Sequence, residues 1–211
     1  QGTAIGRAGN VSGAKIKNID NAMLSDAQRE NRFGLLQSLN RMQAESSLDD
    51  NLEATISNYE LAWRMQMEAP ELTDLSKETA ATKSIYGIDE KHTDDFGKQC
   101  LLARRMVERG VRFVSVNYSD ESANPRWDQH GNMPKHADHA RATDKPVAGL
   151  LQDLKARGLL EDTLVWWGGE FGRTPFSQNK DGRDHNPRGF TVFLAGGGVK
   201  PGISYGSTDE I

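Results

Sequence analysis

The chain has 211 residues, a formal net charge of −4, 36% apolar residues and a mean hydropathy of −0.67. The mild acidity gives no electrostatic case for nucleic-acid binding, and no apolar run approaches the roughly 20 residues of a membrane span. The single cysteine, Cys100, excludes an internal disulfide framework.

The length admits one domain or two and a sizeable core. The chain opens on Gln1, not Met, with a Gly-rich stretch to Lys15 that lacks periodicity. We read 1–24 as a loop or tail, and expect a fragment or processed form. Ser25 to Gln43 reads as a helix capped by Ser25, with Phe33, Leu36 and Leu39 near one face. A second helix is predicted from Asp49 or Asp50. Its stripe Leu52, Ile56, Tyr59, Trp63 and Met67 reads as core, and Pro70 is expected to stop it. After a mixed stretch and a turn at Tyr86-Gly87, Thr93 or Asp94 caps a third helix that Gly110 closes. Cys100 lies on its apolar side, where a thiol is usually a small buried hydrophobe.

Val111 to Val116 alternates and is β-branched, which predicts a strand. Asp138 to Ala156 reads as a helix with Val147, Leu150, Leu151 and Leu154 inward, ended by Gly158. The run Thr163 to Trp167 fits a strand buried on both faces, and Phe190 to Leu194 a further strand. From Thr93 onward helices and strands alternate, which suggests a mostly parallel sheet flanked by helices.

Three acid or imidazole clusters fall near the ends of these strands: Asp128 and His130 in WDQHG, Glu170 after Trp167, and Asp184-His185 before Phe190. In open α/β sheets, ligands bind beyond the carboxyl ends of the strands. Asp128, His130, Glu170 and His185 are therefore expected to converge there as ligands of a divalent metal, zinc or manganese, which suits mixed carboxylate and imidazole donors. Each piece also has a plainer reading. Asp-x-His can be loop hydrogen bonding, and Glu170 can pair with Arg173 or Arg183. Those two arginines could equally recognise an oxyanion.

The segments ISNYELAWRMQMEAPEL, FGKQCLLARRMVERGVRFVSV, WDQHGN, LLQDLKARGLLEDTLVWWGGEFGRTP, GRDHNP and LAGGGVKPGISYGSTDE resemble the domain-of-unknown-function 1501 family, bacterial and common in planctomycetes. That family is placed with the alkaline phosphatase and sulfatase superfamily. The resemblance implies an α/β/α sandwich with a mostly parallel central sheet, of which 25–211 would be a C-terminal portion. It implies a metal-dependent hydrolase of sulfate or phosphate esters, with Asp128, His130, Glu170 and His185 as metal ligands and Arg173 and Arg183 at the substrate oxyanion. An exported or periplasmic location is expected on the same ground. Phe171 stands where the superfamily carries a metal-binding His, so one metal position is weakened or remodelled. The nucleophile is expected to precede this region, and Cys100 lacks the following proline of a sulfatase cysteine. The alternative is a non-catalytic binding module that keeps the fold.

Overall fold

The computed structural model describes residues 23–46, 50–120, 122 and 125–208. The tail expected over 1–24 lies almost wholly outside them. The described residues fall into two units, one ending at Asp74 and one beginning at Leu75.

The first unit is built from α1 (Asp26–Ser46) and α2 (Asp50–Thr73). Ser25 begins α1 with a reciprocal cap. Its backbone N–H donates to Gln28 Oε1 at 2.9 Å, while the Gln28 N–H donates to Ser25 Oγ at 3.3 Å. Two otherwise orphaned donors are thereby satisfied. Phe33 stacks on Trp63 with ring centroids 4.6 Å apart, and Gln37 Nε2 donates to Glu60 Oε1 at 3.1 Å. Rising positions on α1 meet falling positions on α2, so the helices run antiparallel. Tyr59 and Met67 depart from the expected core stripe and are exposed. Among the described residues of this unit α2 has one helical neighbour, and a single seam cannot cover the whole stripe. Pro70 does not stop α2, which continues to Thr73. Proline removes one helix hydrogen bond, but the Thr73 hydroxyl bonds back to the Ala69 carbonyl at 3.0 Å and holds the last turn.

In the second unit, α3 (Ala80–Ile85), α4 (Asp94–Glu108) and α5 (His136–Ala156) surround a core of Tyr86, Ile88, Phe96, Cys100 and Leu101. Val147 and Leu150 of α5 pack against it, as their helical spacing predicts. Thr93 precedes α4 without capping it; its hydroxyl donates to the Gly87 carbonyl at 2.6 Å. A side chain at Gly97 would place its Cβ 2.3 Å from the Tyr86 carbonyl oxygen, so the glycine lets α4 take the turn backbone directly. Behind Tyr86 lies an ionic network. Arg104, 2% exposed at its side chain, has carboxylate oxygens of Glu78, Glu108 and Asp153 at 2.8, 2.5 and 2.9 Å. Asp153 also accepts from the Tyr86 hydroxyl at 3.0 Å and from Arg157 Nε at 2.7 Å.

Cys100 is 2% exposed, and burial pushes its thiol up to about 12. Thiolate is the reactive form. A thiol reagent is therefore expected to label native protein no faster than α4 opens, and to label it fully in denaturant. Stoichiometric labelling within seconds under native conditions would contradict this packing.

Val111 to Val116 is not a strand. Val114, Val116 and Tyr118 are half-buried while Phe113, Ser115 and Asn117 are exposed, so the two-residue alternation survives. The segment lies against helical core residues through Val116 and Tyr118 and has no ladder partner among the described residues. The strands that do form are short. β1 (Val165–Gly168) pairs antiparallel with β4 (Val192–Ala195), placing Trp166 opposite Leu194 and Trp167 opposite Phe193. β2 (Gly172–Arg173) pairs antiparallel with β3 (His185–Asn186). The unit is mixed α/β, but the predicted parallel pairing is not what these strands adopt. Trp166 and Trp167 are 56% and 46% exposed, against the expectation of burial on both faces. A two-stranded sheet has no inner strand, and the described residues lay no second layer on either face.

Candidate metal centre

Asp128 sits at the end of a turn in which its N–H donates to the Pro125 carbonyl at 2.7 Å. The preceding Trp127 anchors that turn. Its ring meets the rings of His136 and His139 on α5, with centroids 5.2 and 5.5 Å away. The Trp127 carbonyl lies 3.1 Å from His136 Nε2, as a hydrogen bond donated by the imidazole requires. Burial, with His136 and Arg126 nearby, lowers the His139 pKa and favours its neutral ring.

His130 is held from the other side by a tight hairpin. Gln178 and Gly182 bridge, and Asn179 and Lys180 between them have φ of 50° and 77°. A Cβ on Gly182 would fall 2.0 Å from the His130 carbonyl, so only glycine allows this approach. Asn179 Nδ2 donates to the His130 carbonyl at 3.2 Å, and the Arg183 N–H donates to the Gln129 carbonyl at 3.1 Å. His130 Nδ1 lies 2.7 Å from Gln178 Oε1. An amide oxygen only accepts, so Nδ1 carries the proton and the neutral ring presents the Nε2 lone pair.

His185 arrives on β3, opposite Arg173 on β2. The Phe171 ring lies 4.4 Å from its imidazole. Asp128 Oδ1, His130 Nε2 and His185 Nε2 then form a nearly equilateral triangle, with edges of 3.0, 3.0 and 2.9 Å. They are the one group of acid and imidazole donors among the described residues with metal-holding proximity. The donor set fits a divalent cation. An octahedral face with bonds near 2.1 Å has edges of about 3.0 Å, and tetrahedral zinc would open them to about 3.3 Å. Burial would raise the Asp128 carboxyl, but hydrogen bonds from His185 and Arg173 outweigh it and hold the group below its ordinary 3.8.

The other expected site residues stand around this triangle. Arg173 Nη1 donates to Asp128 Oδ1 at 2.6 Å, and Nη2 lies 3.3 Å from Glu170 Oε1. Glu170 is thus joined to the triangle through Arg173 and is outside the group of converging donors. Arg183 donates from Nη1 to the Gly182 carbonyl at 2.8 Å, a contact that fixes the hairpin. The site gathers around the β2–β3 pair, which is separate from the β1–β4 sheet.

A family profile described as "Protein of unknown function (DUF1501)" matches residues 1–211. The chain belongs to that family. No curated protein matches the chain, and no solved structure does.

Within this DUF1501 chain, sequence reading does not single out Gln178, which is 48 residues from His130. The nearest signal is the Asn179–Gly182 turn, which marks a hairpin but not what precedes it. Partners that fix a ligand's tautomer are typically worth 10–100-fold in metal affinity. Gln178→Met is accordingly expected to weaken Mn²⁺ or Zn²⁺ binding by about that factor, measured by titration calorimetry. Unchanged affinity would show that His130 does not need the Gln178 bond.

Proposed function

We propose that the chain carries the metal-binding part of a hydrolase acting on sulfate or phosphate esters. The observation that carries this reading is the donor triangle of Asp128, His130 and His185 with a guanidinium beside it. When bound there, a divalent cation supplies Lewis acidity toward a sulfuryl or phosphoryl oxygen. The chain's own residues do the rest. Asp128, His130 and His185 hold the ion, Gln178 keeps the His130 lone pair inward, and Arg173 is placed to take a non-bridging oxyanion through its planar fork. Among the described residues, no serine, threonine or cysteine is hydrogen-bonded to the His130 or His185 rings, so the nucleophile is left unassigned. The reading includes the alkaline phosphatase and sulfatase relation, its parallel α/β/α sandwich and an exported location. Its support is the motif resemblance.

A second reading is favoured by Phe171. Its ring lies against His185, and the Arg173 guanidinium carbon is 5.5 Å from its centroid. A residue that cannot ligate thus stands beside the triangle, as in a module that binds without turnover. The deciding experiment is metal analysis of the full-length protein followed by a screen of aryl sulfates and aryl phosphates. Metal-dependent hydrolysis lost in His185→Ala supports the hydrolase. Bound metal without turnover of either ester supports the binding module. Absence of bound metal after loading with Zn²⁺ and Mn²⁺ removes both.

A further inference from the structure

One oxygen in the triangle is over-subscribed. Asp128 Oδ1 has Arg173 Nη1 at 2.6 Å, His185 Nε2 at 2.9 Å and His130 Nε2 at 3.0 Å. A cation ligated by Oδ1, His130 and His185 would sit beside the positive guanidinium, and both would draw on the same oxygen. Like charges at that range repel strongly in a partly shielded site. The guanidinium has somewhere else to go: Glu170 Oε1 is already 3.3 Å from Nη2, and the Glu170 side chain is 60% exposed and free to follow it.

We propose, resting on the metal-site reading above, that Arg173 is an exchangeable counter-ion. It holds Asp128 until a divalent cation takes Oδ1, and the cation then releases it, steered by Glu170, to bind the substrate's oxyanion. The order of binding follows. Metal comes first, because only then is the Arg173 fork free for sulfate or phosphate oxygens. Metal and oxyanion are therefore positively coupled through Arg173, and linkage requires the coupling to be reciprocal. Glu170 has a defined part here: it competes for the guanidinium and so eases metal entry without ligating the ion.

The signs of the expected effects separate this from a scaffold role. Mn²⁺ affinity is measured by calorimetry on the full chain for wild type, Arg173→Gln, Glu170→Gln and the double variant. Without added anion, Arg173→Gln should tighten Mn²⁺ binding by about 3- to 30-fold, the scale of one partly exposed charge-assisted hydrogen bond. Glu170→Gln should weaken it, and should have no further effect in the Arg173→Gln background. Saturating inorganic sulfate should tighten Mn²⁺ binding in wild type more than in Arg173→Gln. Weaker Mn²⁺ binding in Arg173→Gln would overturn the exchange while leaving the metal site standing. Glu170→Gln weakening binding equally in both backgrounds would make Glu170 a ligand and overturn its steering part. Equal sulfate coupling in both proteins would overturn the oxyanion step. No Mn²⁺ or Zn²⁺ binding by wild type would remove the metal-site reading itself.

Discussion

Asp128→Ala is expected to lower Mn²⁺ or Zn²⁺ affinity by at least about 100-fold, beyond what loss of an orienting partner costs. Oδ1 is the atom that His185 and Arg173 address, it lies 3.0 Å from His130 Nε2, and it supplies the only negative charge in the triangle. Removing it leaves two imidazoles beside a guanidinium with no carboxylate between them. An incoming cation would then lose a ligand and meet unscreened positive charge. Asp128→Asn should fall between wild type and alanine, because its amide oxygen ligates without a charge. Folding should change little, since the side chain is 30% exposed and the turn is anchored by Trp127. Metal affinity within about 3-fold of wild type, a change smaller than one charged hydrogen bond, would place the ion elsewhere.

What the sequence made legible divides along physical lines. Local signals carry well. Ser25 with Gln28 forms its cap, α4 and α5 follow their apolar spacing, and Cys100 is buried where the helix face puts it. The chemistry-bearing pairs in WDQHG and RDH also declare themselves, because Asp-x-His and Asp-His concentrate donors in a few residues. Pairings between distant segments do not. Val111–Val116 has the composition of a strand, yet a strand needs a ladder partner, and its sequence does not specify one. The parallel sheet is inferred from alternation and from the family resemblance, neither of which specifies pairing, whereas β1 and β4 pair antiparallel. Glu170 illustrates the limit most clearly. Its sequence position fits a ligand or an ion pair equally, and only the 3.3 Å approach of Arg173 distinguishes its contact. Gln178 has no composition signal, since an amide becomes an orienting partner only when the hairpin brings it to His130.

Arg104→Ala is expected to destabilise the second unit by about 3–5 kcal/mol, the usual cost of breaking a buried ion pair from one side. Folded domains have about 5–15 kcal/mol in all, so this is a large share. The reason is not that the pair is strongly attractive. Nη2 and Nε of Arg104 lie near carboxylates but off the hydrogen-bond axis, and burying these charges is itself costly. The loss comes from what remains. Glu78 keeps Arg105 at 2.6 Å, and Asp153 keeps Arg157 at 2.7 Å and the Tyr86 hydroxyl at 3.0 Å, but each loses its most buried cationic partner. The effect has a pH signature. Burial would raise the Glu78 carboxyl, yet the hydrogen bond from Arg105 and the adjacent Arg104 guanidinium outweigh it and lower the group below its ordinary 4.5. A depressed folded pKa contributes stability that is fully present above 4.5 and is lost as pH falls through the folded value. Arg104→Ala removes part of that depression. The gap between variant and wild type should therefore be widest near about pH 7 and narrow in acid as Glu78 protonates. Urea unfolding at a series of pH values measures it, with a lower midpoint and an unchanged slope. A gap that stays constant into acid would show that Glu78 draws its stabilisation from Arg105 alone. A loss below about 1 kcal/mol, the range of exposed pairs, would show that water reaches the network.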